Sequence, residues 1–486
     1  MTEQTRLEVT IDARALDGAL MGTQVHVLEL VKALAERREL HLRALIYAER
    51  IDGGTLELLH ELAGVDVLAV EEIDETTPRS GVFHRPQQAF SDGDVALAWR
   101  LGERIVLNQL DLIAYRDPRY FPDATAWQEY QRASRHGMAA AERVVVFSGH
   151  TREELLGEAL VETERIMVIP PGLDHRFAGE PRRPGGLEAG LPRSPEEEGF
   201  LLCLGADYEH KNRVFALRLL EALRVRHGWS GKLVLAGAHM PYGSSREAER
   251  VELAADPGLR EAVVELGSIE ESEKEWLMAN AGAVLYPSRY EGFGLVPYEA
   301  ALQGVPCVFA AVSSLAEGAA AQAATIVPWD PVRSAAAAYA LLSDPVERDR
   351  HVRLLAEAAR KLTWARAATA TVGAYREAVT APVRVAATLS HDAVARERQL
   401  AATHERVVQT LIGERERVLS DYEELLAEVG PARGLIGEHG SLPVDLQRAL
   451  LALGAHPKLS RPLYGLAAGA YRLFRSVARM LFRPRT

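Results

Sequence analysis

Apolar positions in the first two-fifths of the chain follow two rhythms. Runs at 7–11, 40–47, 65–70, 82–84, 104–107, 144–147 and 166–169 are apolar on neighbouring positions, as in strands covered on both faces. Between the first two runs, 24–36 spaces Val27, Leu28, Leu30, Val31 and Leu34 as one face of a helix. Alternation of this kind predicts an open parallel sheet with helices on both sides. A second series repeats it, with strands at 200–204, 232–236, 262–266 and 283–286 and a helix at 214–226. Separating the two, 178–199 is rich in Pro, Gly, Arg and Glu without apolar periodicity, and reads as an interdomain linker.

The strand at 283–286 runs into the most informative stretch of the chain, 286–308. Glu291 and Glu299 lie eight positions apart around a Gly-Phe-Gly turn. Residues 296–302 read as a helix stopped by Gly304, before another strand at 306–310. The free backbone N–H groups of such a helix face the turn and suit a phosphate or diphosphate. A carboxylate at the same end, Glu299, would repel phosphate and is better explained as an acceptor for sugar hydroxyls.

Composition narrows the class. The 486 residues allow two or three domains, and 48% hydrophobic with 26% charged residues is ordinary for a soluble globular protein. A net charge of −12 argues against general nucleic-acid binding. The two cysteines, Cys203 and Cys307, sit inside apolar runs and read as buried thiols in a reducing compartment. No apolar run is long enough to span a membrane, and the polar start Met-Thr-Glu-Gln-Thr-Arg does not read as a signal peptide. The expected location is cytosolic.

The string from Tyr286 resembles the signature of the retaining GT-B-fold glycosyltransferases of family 4. The likeness rests on Pro287, Ser288, the Glu291-Gly292-Phe293-Gly294-Leu295 core, Glu299-Ala300 and Gly304-Val305-Pro306. It implies an α/β architecture of two Rossmann-like domains facing a cleft, at 1–177 and 200–380. The segment 360–379 resembles the family's closing helix, which crosses back to the first domain. The implied reaction moves a sugar from a nucleotide diphosphate sugar, UDP- or GDP-linked, to a hydroxyl acceptor, a glycan or a lipid-linked glycan. No metal or other cofactor is implied.

Residue roles follow from the same resemblance. Glu291 would hold the transferred sugar, Glu299 the ribose, and Gly292, Phe293, Gly294 and Leu295 the phosphate and sugar through their N–H groups. Lys211, in the loop Gly205-Ala206-Asp207-Tyr208-Glu209-His210-Lys211-Asn212, would neutralise the departing diphosphate, with Asn212 beside it. Gly22 and Thr23, before the first helix, would touch the ligand. In Leu107-Asn108-Gln109-Leu110-Asp111-Leu112 the kept acidic residue is Asp111, a catalytic candidate.

Two positions depart from the family pattern. Leu110 stands where relatives often carry a His, so His84, Asn108 or Gln109 becomes a candidate substitute. Ala206 stands where many carry an Arg, so one positive charge is either missing or supplied from elsewhere, with Arg213 as the candidate. These departures keep one rival open, a non-catalytic GT-B glycan- or nucleotide-binding scaffold; a second rival is a sugar-nucleotide epimerase of the same fold, which the Glu-Gly-Phe-Gly string fits less well. Asp92-Gly93-Asp94 fits a metal-binding Asp-x-Asp pattern but does not follow a strand, and is read as a turn. Phe147-Ser148-Gly149-His150-Thr151 reads as a helix start capped by Ser148 or Thr151.

The last hundred residues fall outside the resemblance. The extension 381–454 includes 393–429, charged and helical, with Leu411, Val418, Tyr422, Leu425 and Val429 spaced for a short coiled coil or a helical hairpin; a coiled coil would point to assembly with another biosynthetic enzyme or to a homodimer. The end, 455–486, carries seven Lys and Arg side chains and no acidic residue, interleaved with apolar ones. It reads as an amphipathic helix on an anionic membrane surface, as a helix docked on an acidic face, or as a disordered end.

Overall fold

The computed structural model describes residues 6–17, 22–174, 179–185 and 199–382. The expectations for 393–429 and 455–486, and residues 178 and 186–198 of the linker, lie outside them.

Two all-parallel sheets organise the described chain. The first contains β1 (Leu7–Asp12), β2 (Leu40–Ile46), β3 (Val65–Ala69), β4 (Ser80–Arg85), β5 (Gly102–Asn108), β6 (Arg143–Val146) and β7 (Ile166–Val168). Their spatial order is β3-β2-β1-β4-β5-β6-β7. The second contains β8 (Phe200–Leu204), β9 (Lys232–Ala236), β10 (Val263–Gly267), β11 (Ala283–Tyr286) and β12 (Cys307–Phe309), in the order β10-β9-β8-β11-β12. Strand order reverses between β1 and β4 in one sheet and between β8 and β11 in the other. At such a switch point the connections leave in opposite directions, and a crevice opens at the carboxyl ends of the strands.

Apolar strand faces and the helices over them form the cores. Val9, Ile11, Leu42 and Val106 pack with Val27, Val31 and Leu34 of the helix Gly22–Ala35. That core also takes in Trp364, Ala368, Val372 and Tyr375. They belong to the helix Trp364–Thr380, which follows the second sheet in sequence but packs on the first. Thr363 caps this helix, and Asp174 Oδ1 accepts from the Trp364 N–H at 2.7 Å. Cys203 and Cys307 are buried, free thiols.

Asp92-Gly93-Asp94 is not a turn. It begins the helix Asp92–Leu101, with Ser91 as the N-cap and Asp94 completing a reciprocal capping box. Asp94 also enters a buried ion network at the ends of β1 and β4, in which Arg14 bonds Asp12 at 2.7 Å and Asp94 at 2.8 Å, and Arg85 bonds the same two carboxylates. Both oxygens of Asp94 are thereby committed to the protein.

Candidate functional site

The second sheet's switch point brings the candidate residues of two loops together. β8 delivers the loop that carries Lys211, and its neighbour β11 delivers the loop that carries Glu291. Lys211 Nζ lies 2.7 Å from Glu291 Oε1 and 3.3 Å from the hydroxyl of Tyr286, the last residue of β11. It also sits 5.2 Å from the Tyr286 ring centre. Glu291 is 7% exposed. Burial alone would raise its pKa, but the Lys211 charge overrides this and holds the carboxyl below its ordinary range. The pair is therefore an ionised cation and carboxylate at the carboxyl edge of the sheet.

Hydroxyls from the connection after β12 fix the Glu291 loop. Ser313 Oγ accepts from the Glu291 N–H at 2.8 Å, and Ser314 Oγ donates to the carbonyls of Glu291 and Phe293 at 2.9 and 2.8 Å. Eight residues on, Glu299 stands in the first turn of the helix Val296–Leu302, half-buried, with Lys274 Nζ 3.3 Å from its Oε1. Gly292, Phe293 and Leu295 are half-buried on the intervening loop, and Gly294 is buried.

The first lobe brings Asp111 to the same place. A Cβ on Gly292 would collide with the Leu110 carbonyl oxygen and lie 3.2 Å from Asp111 Cβ, so the two lobes meet at a position that only glycine fits. Asp111 accepts from the Ile113 N–H at 2.9 Å. Its burial, with the charge of Glu291 adding to it, pushes its carboxyl up to about 6. Glu291, Lys211 and Asp111 thus share one locus, with Gly292 at the seam.

Other expected residues are placed differently. Gly22, exposed, and Thr23, half-buried, begin the helix Gly22–Ala35, and a Cβ on Gly22 would meet nothing within 4 Å. Asn212 is buried in a left-handed conformation at the start of the helix Arg213–His227, its Nδ2 without a hydrogen-bond partner. Arg213 does not supply the charge that Ala206 lacks. It is fully buried, and its guanidinium donates to the Gly205 carbonyl at 2.5 Å with Glu249 nearby. Nor do His84, Asn108 and Gln109 present free polar groups in place of Leu110. His84 Nδ1 bonds the Tyr375 hydroxyl at 2.7 Å and its Nε2 bonds Asn108 Oδ1 at 2.9 Å. Burial holds this imidazole neutral, its pKa lowered to about 4. Gln109 is spent on the Asp111 carbonyl and on Ser134. Ser148 does cap the helix Gly149–Gly157 as expected, accepting from the Thr151 N–H at 3.2 Å.

Several participants are given no role in the reading of the sequence. Besides Ser313, Ser314, Tyr286 and Lys274, Glu317 from the second lobe accepts from the Gly149 and His150 N–H groups of the first, at 3.3 and 2.5 Å. Tyr290, next to Glu291, donates across the same seam to Glu154. Among the described residues, no group of three or more His, Cys, Asp or Glu is placed to hold a metal ion, and no helix is long and apolar enough to cross a membrane.

Residues 191–361 match the family described as Glycosyl transferases group 1. The D-inositol 3-phosphate glycosyltransferase of Kineococcus radiotolerans is 29% identical over 49% of this chain and 58% of its own length. That of Acidothermus cellulolyticus is 32% identical, over 52% of this chain and 56% of its own. The chain therefore spans little more than half of these relatives. The Escherichia coli O-antigen chain mannosyltransferase B is 26% identical over 56% of this chain and 70% of its own. Among solved structures, sucrose-phosphate synthase from Thermosynechococcus elongatus superposes with a TM-score of 0.54 at 18% identity, over 76% of this chain and 99% of that one. Anabaena HepE, solved in complex with UDP-glucose, gives 0.54 at 16%, over 76% and 100%. Two switch-point sheets closed by a helix that returns to the first lobe make this a GT-B fold, whose residues 191–361 carry the glycosyl transferases group 1 pattern.

Proposed function

We propose that the chain is a retaining glycosyltransferase of the family 4 type that moves a sugar from a nucleotide diphosphate sugar, UDP- or GDP-linked, to a hydroxyl acceptor in glycan or glycolipid assembly. The observation that carries the reading is the ionised Lys211–Glu291 pair at the second sheet's switch point, 2.7 Å across and facing Asp111. A donor holds its two recognition elements, diphosphate and sugar hydroxyls, side by side. A cation beside a carboxylate matches them.

In this reading the donor separates the pair. Lys211 turns to the diphosphate, and Glu291 accepts from hydroxyls of the sugar. Glu299, held by Lys274, takes the ribose hydroxyls. The bond from the anomeric carbon to the phosphate oxygen breaks with its electrons going to that oxygen, and Lys211 stabilises the charge. The acceptor oxygen bonds the same carbon from the same face, and its proton passes to the departing phosphate oxygen. Lys211, and no metal, neutralises the leaving group. Closure of the lobes at Gly292 excludes the water that would hydrolyse the donor. An anionic membrane surface for 455–486 and a homodimer through 393–429 remain proposals from sequence.

The test is release of nucleotide from a panel of UDP-, GDP- and dTDP-sugars with simple glycoside acceptors, with Glu291→Ala as control. Release from one donor, lost in the variant, is the expected result. Equal release by the variant would remove Glu291 from the reaction.

A further inference from the structure

The connection between β5 and the helix Ala124–Ala140, residues 109–123, meets the second lobe twice. Its start, Leu110-Asp111, abuts Gly292. Its far end, the short turn Pro118–Tyr120, meets the loop that carries Lys211. The Tyr120 hydroxyl and His210 Nδ1 are 2.6 Å apart. The Tyr120 ring lies 5.3 Å from that of Tyr208, and against Gly243, where a Cβ would come within 2.9 Å of Tyr120 Cδ1. Arg119 pairs with Glu209 in the same loop. From the other side, the His210 carbonyl accepts from the Arg289 N–H at 2.7 Å, tying the loop to the segment before Glu291.

Three consecutive residues ahead of Asn212 are therefore engaged from outside: Glu209 by Arg119, His210 by Tyr120 and Lys211 by Glu291. We propose that Tyr120 is a positioning residue of the donor site, setting Lys211 from the opposite lobe by holding His210, so that closing the lobes completes the diphosphate site. This rests on the reading of Lys211 given above. The physical case is one of freedom: a lysine ammonium on a four-carbon stem is a mobile point charge, and fixing its backbone removes much of the ordering it would otherwise need on binding. Ala206 sharpens the need, because this loop holds Lys211 without an arginine after its glycine. Burial, followed by the neighbouring Lys211 charge, lowers the His210 pKa to about 4, so the imidazole is neutral at physiological pH and adds no charge of its own.

Tyr120→Phe keeps the ring contacts and removes only the hydrogen bond. The amides of Lys211 and Asn212 report on the loop, since they donate within it to the Tyr208 and Glu209 carbonyls at 2.9 and 3.1 Å. In the full chain, Tyr120→Phe should speed hydrogen exchange at these two amides about tenfold while the Leu202 amide of β8 exchanges as before. Affinity for UDP or GDP, whichever the unsubstituted chain binds, should fall about fivefold, the loss of one hydrogen bond. Unchanged exchange at Lys211 and Asn212 overturns the proposal, and so does faster exchange with unchanged nucleotide affinity. If the unsubstituted chain binds neither nucleotide, the reading of Lys211 falls, while the exchange data still decide whether Tyr120 holds the loop.

Discussion

Gly292 runs so close to Leu110 of the opposite lobe that a side chain on it would strike the Leu110 carbonyl oxygen. The obstacle is backbone and cannot swing aside. Gly292→Ala should therefore hold the lobes apart without unfolding either. Turnover should fall by about a hundredfold or more, the scale of a misplacement near 1 Å, while far-UV circular dichroism is unchanged. Full activity in this variant would mean that the lobes do not meet here during the reaction.

The Lys211–Glu291 pair makes opposite forecasts for its two members. Lys211→Ala should weaken nucleoside diphosphate binding about tenfold. Glu291→Gln should abolish turnover yet bind the same nucleotide as tightly or more tightly, because Lys211 no longer has a carboxylate 2.7 Å away to leave. Titration calorimetry with UDP and GDP measures both. Weaker binding by Glu291→Gln would contradict the competition.

Asp111 should make stability depend on pH. Its carboxyl titrates near pH 6 in the folded chain and at the ordinary 3.8 when unfolded, because burial and then Glu291 disfavour its charge. The stability it contributes is complete below about 3.8 and is lost as pH rises through about 6. Asp111→Asn cannot ionise and can still accept from Ile113. Its Tm relative to the unsubstituted protein should climb between pH 4 and pH 8. A difference that stays constant over that range would show an unperturbed carboxyl.

His84 should prove structural. Tyr375→Phe leaves its Nδ1 without the hydroxyl now 2.7 Å away, deep in the core shared with the closing helix. The expected loss is about 1–3 kcal/mol in urea denaturation, the cost of an unsatisfied buried polar group. Turnover per folded molecule should hold. A drop in turnover without a loss of stability would return His84 to the list of catalytic candidates.

The sequence by itself determined the strand and helix pattern of the fold and the local part of the candidate site. Strands buried on both faces must be apolar along their length, so β1 to β12 show as short apolar runs, and Val296–Leu302 is bounded by Gly304 just as its spacing predicts. The string around Glu291 and Glu299 is local, and a strand, tight turn and helix are set by neighbours in the chain. What only tertiary structure decided is every relationship that crosses the seam. Asp111 against Gly292, Tyr120 on His210 and Glu317 on the Gly149 and His150 N–H groups join residues separated by 90 to 181 positions. No periodicity records such pairs. Asp94 shows the same limit: its capping partner Ser91 is three residues away, but its buried partners Arg14 and Arg85 come from two other strand ends. Arg213 and His84 went the other way, since whether a polar side chain meets a ligand or a carbonyl depends on which surface covers it. Burial is a property of the assembled sheets, and the sequence fixes it only through them.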